Sequence, residues 1–170
     1  RLLFGSYDGY VYCVAPADGK VIWKTETEGR VHGAPAVVVR GNNSVEGGKV
    51  LVAGCDEKFH VFNLSDGKVV AALSMGSMSG ASPAVKGDLA YVGTFNNDVI
   101  AINWAAERIE WRYRLEDRES PFYASAAVAG DVVVVGGRDK IVHAIDAASG
   151  AGRWKFATGA KIDASAVMVG

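Results

Sequence analysis

Several things are scarce in this 170-residue chain, and each scarcity narrows what it does. Only two cysteines occur, Cys13 and Cys55. They fall at different places in the pattern described below and make no metal-type spacing, so each reads as a buried free thiol. Charge of one sign is missing too: 18 basic residues face 19 acidic ones, and the basic ones are scattered. Nucleic-acid binding needs a clustered basic face, so that class is excluded. No apolar run approaches the ~18 residues that span a bilayer. The chain opens on Arg1-Leu2-Leu3-Phe4, which already reads as a strand, so any targeting segment is expected outside this sequence.

What is present is strand. Hydrophobic residues make up 49%, mostly Val, Ala and Ile in runs of four to six bounded by Gly, Asp and Asn. Runs that short, so bounded, are buried strands rather than amphipathic helices. The clearest stretch is Gly136 to Trp154: one apolar run ends in Gly-Gly-Arg-Asp, and a second, Ile141 to Ile145, ends in Asp-Ala-Ala-Ser-Gly. A Trp follows four residues after that glycine. The same pattern occurs three more times. Its turn column holds Asp8, Asp56, Asn96 and Asp139; the next turn holds Gly19, Gly67, Glu107 and Gly150; the Trp column holds Trp23, Ala71, Trp111 and Trp154. Spacings of 48, 40 and 43 fit four strands per repeat and exclude helical repeats near ~33 residues.

Naming the strands of a unit A to D, the units are 1–39, 49–86, 87–129 and 130–170, one domain in all. Strand A follows the column Ala34, Ser82, Ser125 and Ser165, with Val31–Val39 predicted for the first and Ala164–Val169 for the last. The polar, Gly-rich stretch 40–48 reads as an exposed A–B loop. Asn42 and Asn63 each head a glycosylation sequon, informative only in a secreted eukaryotic chain. Gly76 to Gly80 has Met78 where a nucleophile elbow needs Ser, so that motif is excluded.

These residues suit stacked sheets. Runs such as Val132–Val135 do not alternate polar and apolar, as expected where neighbours cover both faces. A turn Asp hydrogen-bonds backbone two residues on and closes a tight hairpin. A Trp on strand D, burying ~200 Å² against the next sheet, is worth up to ~5 kcal/mol. Trp23, Trp111 and Trp154 are therefore predicted buried between sheets. Ala71 is predicted to leave the second unit loosely held at its outer edge.

The segment Asp8-Gly9-Tyr10-Val11-Tyr12-Cys13-Val14-Ala15, continued by Asp18-Gly19 and Trp23, resembles the repeat of the PQQ-like (pyrroloquinoline-quinone-type) β-propeller family, and His143 to Trp154 repeats it. The resemblance covers the whole chain. It implies an all-β propeller of four-stranded antiparallel blades, about four of the ~eight such rings usually have. It further implies that the remaining blades of the same chain, or a second copy, close the ring. The family includes a lipoprotein of the bacterial outer-membrane barrel-assembly machinery, implying a bacterial, cell-envelope setting outside the cytoplasm and a protein partner.

The family also includes quinoprotein dehydrogenases, which stack PQQ over the propeller axis between a Trp and a vicinal disulfide, beside a calcium. Here there is no adjacent cysteine pair, and no Glu/Asn/Asp set matches the calcium ligands; Trp104 falls in a C–D turn, away from the mouth. The expectation is a non-catalytic scaffold without PQQ or calcium, with part of a dehydrogenase as the alternative. Its binding rim is expected at the B–C and D–A loops: Arg118, Phe122, Tyr123 and Arg138, with the column His32, Gly80, Tyr123 and Asp163 lining the channel mouth. Asp8, Asp56 and Asp139 are expected to be structural. His60 and His143 share a strand-C column but sit too far apart to share a metal.

Overall fold

The computed structural model describes residues 1–39, 45–115 and 120–169. The first sheet has three strands, β1 (Leu2–Gly5), β2 (Tyr10–Val14) and β3 (Val21–Glu26). The second has β4 (Ala36–Val38), β5 (Lys49–Ala53), β6 (Lys58–Asn63) and β7 (Val69–Ser74). The third has β8 (Ala84–Lys86), β9 (Leu89–Gly93), β10 (Asp98–Asn103) and β11 (Arg108–Arg114); the fourth has β12 (Ala127–Ala129), β13 (Val132–Gly136), β14 (Ile141–Asp146) and β15 (Gly152–Ala157). Every sheet is an antiparallel meander in chain order, the propeller architecture the repeat implies.

Strands B, C and D fall where the sequence places them; strand A is shorter than expected. Val31 does not begin a strand but is buried, its side chain against Gly5 and its N–H donated to the Ser6 carbonyl at 3.1 Å. Ala164–Val169 is not a strand either. β4, β8 and β12 each bond to the strand that follows them. No strand of the described residues follows Ala164–Val169 to bond with it.

The hairpins close as their residues dictate. Asp8, Asp56 and Asp139 each accept the backbone N–H two residues on, at 3.1, 3.2 and 3.1 Å. The residue after the turn column, Gly9, Glu57, Asn97 or Lys140, takes a left-handed φ of 63–86°. In the third unit the Thr94 hydroxyl accepts the N–H of Asn96 itself at 3.2 Å, as the Ser6 hydroxyl accepts that of Asp8 at 3.3 Å in the first. Every D strand carries a β-bulge one residue before the Trp column, at Ile22, Val70, Glu110 and Arg153.

The core lies between sheets rather than within one. Trp23 donates its indole N–H to the Leu64 carbonyl of the next blade at 3.1 Å, and Trp111 does the same to Ala147 at 3.1 Å. Each ring lies against a left-handed glycine: a Cβ on Gly67 or Gly150 would come within 2.5 or 2.7 Å of it. Both rings are buried, 7% and 9% exposed. Trp154, predicted to match them, is 51% exposed, because it points to the side of blade four that no other sheet of the described residues covers.

Between blades two and three the large residue changes sides. Ala71 holds the donor column and Trp104 the position of Leu64 and Ala147; the two are buried in one cluster with Phe59, Met75 and Ile102. With no Trp arriving from blade two, the glycine column accepts Glu107, at φ 55°. The expected weak point at Ala71 is thus filled from the neighbouring blade.

Candidate binding rim

In blades two, three and four the B–C turn is tied to the D–A connection of the blade before it. Cys55, Phe95 and Arg138 donate backbone N–H to the carbonyls of Arg30, Met78 and Pro121 at 3.0, 3.0 and 3.3 Å. These bonds bring together two columns, the residue before each turn Asp or Asn (Tyr7, Cys55, Phe95, Arg138) and the predicted mouth column (His32, Gly80, Tyr123, Asp163).

The columns form one belt of flat groups. Tyr7 stacks on His32 with centroids 4.3 Å apart, and Phe95 on Tyr123 at 4.4 Å. Gly80 joins the two stacks: a Cβ there would lie 3.1 Å from the Phe95 ring and 3.5 Å from His32 Cβ. The Arg138 guanidinium lies 3.8 Å from the Tyr123 ring centroid and grips Asp163 through two bonds, at 2.7 and 3.1 Å. That grip holds the Asp163 carboxyl below its ordinary range. Beneath the belt, Ser82, Ser125 and Ser165 each accept on Oγ the backbone N–H of Ala34, Ser82 or Ser125, at 2.8–3.1 Å, linking the segments just before strand A, or in its expected place, from blade to blade.

Of the predicted rim residues, His32, Tyr123, Arg138 and Asp163 stand together in this belt. Phe122 does not: it is buried at 2%, packed edge-on to His143, because the D–A connection turns alternate side chains inward. Arg118 lies outside the described residues. Sequence reading missed Tyr7, 64% exposed, and Phe95; the signal was their shared place directly before the turn Asp or Asn. Cys55 holds the same column, its thiol pushed up by burial.

The remaining polar groups are occupied structurally. His60 pairs with Asp56 at 2.7 Å. Asp139 and Tyr113 flank His143 at 3.1 and 3.2 Å, joining blades three and four through a buried network. Among the described residues no three His, Cys, Asp or Glu side chains cluster as metal ligands do. No helix there is long and apolar enough to cross a membrane.

Interlocked antiparallel blades, Trp-on-Gly docking and an inner belt of loop residues define a β-propeller with four blades present. The sequence matches the family described as outer membrane protein assembly factor BamB over residues 1–70 and 56–168, and the chain belongs to that PQQ-like propeller family. Among solved structures it is similar to BamB from Moraxella catarrhalis, with a TM-score of 0.74 and 20% identity over 91% of this chain and 44% of that one. It is similar also to the computationally designed Ika8 protein, with a TM-score of 0.73 and 15% identity over 95% of this chain and 48% of that one. At such identities these likenesses speak for the fold alone, and the chain spans less than half the length of either. A beta-alanine-activating enzyme of Danio rerio is 32% identical over 100 residues, 58% of this chain and 8% of that protein.

Proposed function

We propose that this chain is a non-catalytic binding and assembly scaffold whose rim holds a protein partner. The observation that carries the reading is the belt at the channel mouth. Stacked, partly exposed aromatic rings and an arginine held by a carboxylate are the residue types that anchor protein interfaces, at little ordering cost because their neighbours already fix them. Membership of a family described as an assembly factor supports it.

The blade faces left open at the two ends belong to the same reading. Trp154 offers a docking ring, and Gly19, at φ 72° with no atom within 4 Å of where a Cβ would sit, offers the matching seat. Further blades, of a longer chain or of a second copy, are proposed to engage both.

Two measurements test the scaffold. A photo-crosslinker at Tyr7 is expected to capture a protein partner in the native cell, with capture lost on Arg138→Ala. Incubation with pyrroloquinoline quinone, calcium and an alcohol or aldose panel is expected to reduce no dye. Stoichiometric quinone uptake with dye reduction overturns the reading in favour of a dehydrogenase fragment.

A further inference from the structure

Blade two ends on an edge unlike the other three. Each sheet finishes on its D strand, β3, β7, β11 or β15, whose outer backbone groups pair with no further strand of the described residues. Such an edge recruits other chains, and proteins guard it with charged side chains and bulges. All four edges carry the bulge, but the charges are uneven. The residue after the Trp column is Lys24, Arg112 and Lys155 in three blades and Ala72 in β7. The bulged residue is charged in β11 and β15, as Glu110 and Arg153; β3, whose bulge is Ile22, adds Glu26 beside Lys24. β7, Val69-Val70-Ala71-Ala72-Leu73-Ser74, has no charged residue at all. Nor is it covered: Val69 and Val70 are 53% and 46% exposed, and Ala72 is exposed.

We propose that the edge of β7 is a docking site for an extended, uncharged, β-branched-rich segment of another protein, which adds to blade two as a fifth strand. Backbone hydrogen bonds supply the attraction in such an addition, and side chains flanking the edge select the sequence. Val69, Val70 and Ala72 offer apolar surface to the incoming strand's side chains, which favours β-branched neighbours across the pair. A charged side chain placed over that surface would lose water without gaining a partner. The partner's chemistry is thus set by the missing charges, and the site lies on the outer wall, apart from the rim belt.

The test uses the whole 170-residue chain and a fluorescein-labelled peptide Thr-Val-Ile-Thr-Val-Thr, unlike β7 in sequence, between terminal lysines. The expected result is a saturable rise in anisotropy, with slowed deuterium exchange confined to the amides of β7. Ala72→Lys is expected to weaken binding by about tenfold or more. That variant is expected to fold, because Lys24, Arg112 and Lys155 occupy the same column in the sister blades. Tyr123→Ala at the rim is expected to leave peptide binding unchanged. Absence of saturable binding, equal affinity for Ala72→Lys, or protection spread over β3, β11 and β15 overturns the proposal. So does self-association of the chain that Ala72→Lys abolishes without any peptide binding, which would make a second copy the occupant.

Discussion

Truncating the two outer tryptophans separates a docked blade from an undocked one. Trp111 is 9% exposed, its ring lies on Gly150, and its indole N–H reaches the Ala147 carbonyl at 3.1 Å. Burying ~200 Å² at ~25 cal/mol per Å² sets an upper bound near ~5 kcal/mol. Trp111→Ala also leaves a cavity, while the Ala147 carbonyl keeps the Tyr91 hydroxyl as a donor at 3.2 Å, so a loss of ~3–5 kcal/mol, mostly from lost packing, is expected. Trp154 holds the same column in the same kind of bulged strand, yet half its surface is in water. With about half the burial, Trp154→Ala is expected to cost ~1–2 kcal/mol. Urea unfolding followed by far-UV circular dichroism measures both, at a concentration where light scattering reports single chains. Equal losses for the two variants, or an unchanged midpoint for Trp111→Ala, would refute the assignment of Trp-on-Gly docking as the force between blades.

The side-switched contact between blades two and three gives a second test: Trp104→Ala alone is expected to cost ~3–5 kcal/mol and Ala71→Trp alone ~1–3 kcal/mol by overpacking. Combined with Glu107→Gly they should recover most of the loss, and simple additivity in a double-mutant cycle would show that the two sites do not share one space. At the rim, the carboxyl of Asp163 titrates below the ordinary ~3.9 because Arg138 binds its charged form. A lowered folded-state pKa contributes stability that is present above the unfolded value and lost as pH falls through the folded one. The pair should therefore persist at neutral pH and open only in acid. Carboxyl ¹³C titration should show the Asp163 pKa rising on Arg138→Ala; an unmoved value would mean that the ion pair does not form in solution.

The sequence by itself determined the blade: strand order, strand boundaries for B, C and D, hairpin turns and the Trp and Gly columns. Those are local properties, set by runs of Val, Ala and Ile, by Asp closing its own turn, and by a recurring period. It also located His32, Tyr123, Arg138 and Asp163 at one mouth, because the repeat register carries each to the same height. Tertiary structure decided what register leaves open, namely which surface meets which. Trp23 and Trp154 occupy one column and look alike in sequence, yet one is buried and the other open, since burial depends on whether a neighbouring blade is there. Ala71 looks like a defect until Trp104, thirty-three positions later, is seen in the same cluster. Phe122 and Tyr123 are adjacent and chemically similar, but the connection between blades turns one into the core and the other onto the rim. Strand A failed most often as an expectation for the same reason: its hydrogen bonds come from a strand it must meet in space, and apolar sequence alone does not supply that partner.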